Sequence, residues 1–87
     1  MIRLVCSVRD GATGLFGQPL FVVARGQALR VFQDEVNRRP AETDLAKHPE
    51  DFELYLVAEF DEGTGRFGGL GDPELLIRAK DCLQTEQ

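Results

Sequence analysis

The stretch DEGTGRFG, residues 61–68, repeats the pattern of DGATGLFG, residues 10–17: both read D-x-x-T-G-x-F-G. A phosphate loop would aim successive backbone N–H groups at an anion just ahead of a helix, usually with a lysine following. Here each copy lies between two strand-like stretches, and no such lysine follows. An Asp that accepts from backbone amides, a Thr that does so more weakly and a Gly free to take positive φ make hairpin-turn chemistry. Each copy therefore predicts a corner between two antiparallel strands. Calcium would need several converging oxygens, and only Asp10, or Asp61 with Glu62, stand near either corner.

Working outward, IRLVCSVR (2–9) alternates, with Ile2, Leu4, Cys6 and Val8 on one side and Arg3, Val5, Ser7 and Arg9 on the other. A period of two predicts a half-buried strand. PLFVVAR (19–25) predicts a second strand opened by Pro19, which has no N–H for a central ladder. FELYLVAEF (52–60) predicts a third, with Phe52, Leu54, Leu56, Ala58 and Phe60 toward the core and Glu53, Tyr55, Val57 and Glu59 away from it. A short strand near RFGGL completes the second hairpin. QALRVFQDEVNRR (27–39) changes to helical spacing, with Ala28, Leu29, Phe32 and Val36 on one arc, and Pro40 marks its end. PAETDLAKHPED (40–51) is polar connection, with one short helical turn opening at Pro49. GDPELLIRAKDCL (71–83) carries a helix start signal, Asp72 as N-cap and Pro73 at the first helical position. Its buried stripe would be Leu75, Leu76, Ala79, Cys82 and Leu83, leaving Ile77 on the opposite side.

The expected fold is thus α+β, in the order β-hairpin, helix, β-hairpin, helix: a four-stranded antiparallel sheet with both helices on one face. Its 87 residues form a single domain, 1–87. No run approaches a membrane span or a signal peptide, so the expectation is a soluble, intracellular protein without membrane contact. Cys6 and Cys82 lie far apart without a C-x-x-C and read as reduced, buried small hydrophobes; a disulfide between them is the alternative.

The net charge is −5, which does not announce a polyanion partner. The charge is uneven, however. The first forty residues hold six arginines against Asp10, Asp34 and Glu35, whereas the remainder is strongly acidic. A local basic patch remains available, with Arg3, Arg9, Arg25 and Arg66 as its candidates. Phe16 and Phe67, set among glycines after each corner, could stack unpaired bases or fold back over the sheet edge. His48 is the one histidine and stands at no metal-ligand spacing. No nucleophile–base motif is present. Neither catalysis, a metal nor a cofactor is expected.

The run KHPEDFELYLVAEFDEGTG (47–65) resembles the small non-structural protein of gokushovirus-type microviruses, which are single-stranded DNA phages. Pro19, Phe21, Ala28, Arg30, Phe32, Asp34, Val36 and Asn37 extend the similarity upstream, while the linker RRPAETDLA departs from the family's Asp/Pro/Ser-rich segment. The resemblance implies a DNA-binding protein outside the mature particle, acting in the host cytoplasm at the switch from duplex copying to single-strand production, with no catalytic residues. Two functions stand open. One is single-stranded DNA binding through Arg3, Arg9, Phe16, Arg25, Arg66 and Phe67. The other is a protein–protein adaptor or homodimer that docks on a replication or capsid-assembly protein without touching DNA.

Overall fold

The computed structural model describes residues 1–84. Its elements are β1 (Ile2–Asp10), β2 (Leu15–Phe16), β3 (Leu20–Val22), α1 (Arg25–Val36), the short α2 (Asp44–Lys47), a 3₁₀ turn at Pro49–Asp51, β4 (Phe52–Asp61), β5 (Arg66–Arg78) and a closing 3₁₀ turn at Ala79–Cys82. The strands form one antiparallel sheet in the order β2-β1-β4-β5, with β3 also paired to β1. This corrects the expected hairpin–helix–hairpin–helix fold with four strands and two helices. Among the described residues only α1 is a helix of several turns, and the sheet dominates.

Both D-x-x-T-G corners reverse neighbouring strands and do so with the same bonds. The Asp10 carboxylate accepts from the Ala12 N–H at 2.9 Å, and Asp61 accepts from Gly63 at 2.8 Å. Thr13 accepts from Leu15 and Thr64 from Arg66, while the Gly14 and Gly65 N–H groups close on the Asp10 and Asp61 carbonyls. Gly14 and Gly65 sit at φ 76° and 74°. A Cβ at Gly65 would meet nothing within 4 Å, so its penalty is conformational alone. Gly65→Ala should lower stability by about 1–2 kcal/mol, read as a lower urea midpoint at unchanged slope.

The largest departure lies in residues 71–83. The chain leaves the second corner as strand and stays strand to Arg78, because β4 needs a hydrogen-bonding partner along its second edge. A short apolar run such as LLI satisfies either period. In the strand, Ile77 pairs with Leu54 and packs on the core, while Leu75 is left at the surface, opposite to the helical expectation. The Asp72-Pro73 signal serves a different purpose. The ladder passes from Gly69 to Glu74 between Ala58 and Leu56 of β4, so residues 70–73 bulge out of register, with Gly71 at φ 77°. Proline is tolerated at such a bulge on an edge strand. The bulge also blunts an edge that could otherwise pair with another chain.

A second bulge decides which side chains face solvent. Val5 pairs with Ala58 but Cys6 with Leu56, so Val57 is the extra residue in β4. Because side chains alternate with period two, one inserted residue exchanges the faces beyond it. Leu54 and Leu56 point to the core as expected. Ala58 and Phe60 instead join Val5 and Arg3 on the far side, and Glu59 moves to the side of Leu4.

The core lies between the sheet and α1, built from Cys6, Val22, Ala28, Phe32, Val36, Leu54, Leu56, Ala79 and Cys82. Both cysteines are free and buried, and burial raises both thiol pKa values, keeping them protonated and unreactive at neutral pH. Asn37 ends α1 and ties the last described residues to it. Its Nδ2 donates to the Gln33 and Cys82 carbonyls, and its Oδ1 accepts from the Gln84 N–H. The expected turn at Pro49 is present, with Glu50 and Asp51 in its first turn.

Candidate nucleic-acid interface

The core cluster takes its residues from the helical elements and one face of the sheet, which leaves the other face outward. Register sorts that outer face into four rows. Phe16, Arg9, Glu53 and Arg78 lie across the first; Ser7, Tyr55 and Leu75 across the second. Phe21, Val5, Ala58 and Gly69 make the third, and Arg3, Phe60 and Phe67 the fourth.

Aromatic rings gather into two groups on this face. Phe16 meets Tyr55 edge-on at 5.4 Å between ring centres. Phe60 lies 4.8 Å from Phe67 and 5.5 Å from Phe21, with Phe21 and Phe67 at 6.1 Å. Phe16 is 44 % exposed, Phe21 45 % and Phe67 62 %. Solvent-facing phenylalanines at this density form a patch that a domain of this size does not need for its own packing. Val5 and Ser7 are buried in the same face, so it is a packed aromatic surface. The Ser7 hydroxyl donates to the Gly17 carbonyl.

Four arginines meet carboxylates: Arg3 Nε with Glu62 at 3.1 Å, Arg25 with Glu74 at 3.0 Å, Arg38 with Glu35 at 2.9 Å and Arg78 with Glu53 at 3.0 Å. Pairs this exposed contribute about 0–1 kcal/mol each and leave N–H donors for a further acceptor. Arg3 and Arg9 form no ion pair with Glu59 or Glu53. Glu53 instead accepts from Arg78 and from the Tyr55 hydroxyl, and that hydrogen bond is the main cause of a raised Tyr55 pKa. Arg9 has no ion pair among the described residues, and its guanidinium reaches toward Gly14 of the first corner.

Of the six residues expected to bind DNA, the outer face gathers Arg3, Arg9, Phe16 and Phe67. Arg25 stands at the start of α1, engaged by Glu74. Arg66 pairs in register with Asp61, one residue out of phase with Phe67. It lines a groove of about 340 Å³ with Ile2, Glu59, Asp61, Thr64, Phe67 and Gly68, where two carboxylates oppose an incoming phosphate. Phe21, Tyr55 and Phe60 join the patch beyond what the sequence suggested. Tyr55 was legible from its alternation with Leu54 and Leu56, whereas Phe60 reaches this face only through the bulge at Val57.

Elsewhere, an apolar cleft of about 120 Å³ opens between α1 and the sheet, lined by Cys6, Val8, Leu20, Val31, Phe32 and Leu54 among others. Small-molecule sites are commonly about 300–1,000 Å³. Among the described residues, no three His, Cys, Asp or Glu are grouped to hold a metal, and no helix is long and apolar enough to cross a membrane.

Comparison with curated proteins and with solved structures returns no match. Residues 3–82 match the family described as Phage ORF5 protein. That match takes in both corners, α1 and all five strands but for the first residue of β1, and the chain accordingly belongs to the phage ORF5 protein family and is a small phage-encoded protein.

Proposed function

We propose that this phage protein is a non-enzymatic accessory that binds single-stranded DNA on the outer face of its sheet. Its stage is the change from duplex copying to single-strand production in the host cytoplasm, in a phage of the gokushovirus type. The observation that carries the reading is the exposed aromatic patch of Phe16, Phe21 and Phe67 beside Arg9, which has no carboxylate partner among the described residues. Unpaired bases stack on aromatic rings without regard to sequence, and arginine adds a phosphate contact and a cation–π surface. A duplex keeps its bases stacked inside, so it would engage only the arginines. The acidic net charge opposes binding at long range and is screened within about 10 Å at 0.1 M salt, which leaves the local face to decide.

The test is fluorescence anisotropy with labelled single-stranded and duplex oligonucleotides. Single strands should bind in the micromolar range at low salt and more tightly than duplex. No binding at tens of micromolar in low salt overturns the reading. Arg9→Glu should weaken binding about tenfold and flatten the dependence of log K on log salt by about 0.7 for the lost phosphate contact. Arg38→Glu, on the helical side, should change neither.

A protein partner is the competing reading, favoured by Leu20 and Val31, both exposed at the mouth of the apolar cleft. Light scattering that finds a dimer, or recovery of a phage protein from infected cells by the wild type but not by Val31→Asp, would support it.

A further inference from the structure

We infer that the outer face takes single-stranded DNA at two separate stacking stations, so that one strand is gripped through two non-adjacent bases. This rests on the DNA-binding reading above. The first station is Phe16 with Tyr55, and the second is Phe21 and Phe67 over Phe60. Within each station the rings touch, at 5.4 Å in the first and 4.8–6.1 Å in the second. Between them the face has no exposed ring: Val5 and Ser7 are buried, and Ala58 and Gly69 are small.

The spacing follows from register. Phe16 lies opposite Arg9 and Phe21 opposite Val5. Four residues of strand at about 3.3 Å each separate the two pairs by roughly 13 Å. Stacked neighbours in a strand are about 3.4 Å apart, so adjacent stacked bases cannot reach both stations. A strand that lays one base on each must run nucleotides across the small residues between them. Arg9 stands at the first station without a carboxylate partner among the described residues, and Arg3 at the second keeps donors beyond its contact with Glu62. The arrangement therefore supplies a cation for the backbone at both ends of the span. This complementarity commits the face to a polyanion with unstacked bases.

The experiment uses oligothymidylates dT2, dT4, dT6 and dT10, read by anisotropy at low salt and by the fluorescence of Tyr55, which is the one tyrosine in a chain without tryptophan. Affinity should rise steeply between dT2 and dT6, by about tenfold or more as the second base is captured, and then flatten. Tyr55 emission should be quenched as dT6 binds. Phe16→Ala should remove the length gain, so that dT6 binds the variant about as dT2 binds the wild type. Phe16 is nearly half exposed, and an unchanged melting curve confirms that this variant folds. Equal weakening at every length, or binding that leaves Tyr55 emission unchanged, overturns the two-station arrangement while DNA binding stands. No binding at any length overturns DNA binding itself. Sedimentation that finds a dimer abolished by Phe67→Ala assigns the face to a second copy of the chain and overturns both.

Discussion

Phe32→Ala is expected to destabilise the fold by about 3–5 kcal/mol, whereas Phe67→Ala should lower stability by only about 0.5–1.5 kcal/mol. Phe32 is 4 % exposed between α1 and the sheet, in one cluster with Val22, Val36, Leu54 and Leu56. Truncating it removes buried apolar surface and leaves a void beside the cleft already lined by Val8 and Leu54. A domain of this size has a stability of roughly 5–10 kcal/mol, so the substitution should remove from about a third to all of it. Phe67 is 62 % exposed and meets the Phe21 and Phe60 rings on an open face, so its loss forfeits those ring contacts and little buried surface. Urea unfolding followed by circular dichroism separates the two. Equal losses would mean that the aromatic face is a second core, and the case for a binding surface would fail.

The contrast matters because the two kinds of phenylalanine look alike in the sequence. Both corners were legible, since Asp, Thr and Gly each have one local task in a tight hairpin and perform it within a few residues. α1 was legible as well: Ala28, Phe32 and Val36 share a face that nothing in the neighbouring sequence contradicts. β5 was not. Asp72-Pro73 is a true helix-start signal judged over a few residues, but the open edge of β4 lies far away in sequence, and its unpaired backbone groups outweigh a cap. The bulges were hidden for a related reason. Val57 looks like any other strand residue, and only the pairing of Val5 with Ala58 and of Cys6 with Leu56 reveals it.

That single insertion carries Phe60 out of the expected core and Glu59 away from the expected outer face. The candidate site was consequently half legible. Arg3, Arg9, Phe16 and Phe67 follow from alternation around the corners. Arg25 and Arg66 fail because one belongs to the helix start and the other to the opposite phase of β5. The same insertion removes an acid from the outer face and adds a ring, which makes that face better suited to bases than the alternating pattern implied.

The double variant Phe21→Ala/Phe67→Ala should weaken single-stranded DNA binding by about 5-fold to 150-fold, from about 1–3 kcal/mol for the one base this station holds. Both rings stand exposed at the end of the face marked by Arg3, and each lies against Phe60. Because they also touch one another, their losses need not add. The single variants fix the coupling: if one base inserts against both rings, either substitution alone should cost most of the double loss. Phe67→Tyr keeps the ring and should retain binding within a few-fold, whereas a purely electrostatic face would tolerate the double variant with its salt slope unchanged. Anisotropy titrations of the wild type and the four variants at two salt concentrations decide between stacking and charge, since losing a ring moves affinity at every salt while losing a phosphate contact changes the slope. An unaltered affinity in the double variant would remove the aromatic patch from the function altogether and leave the arginines as its sole support.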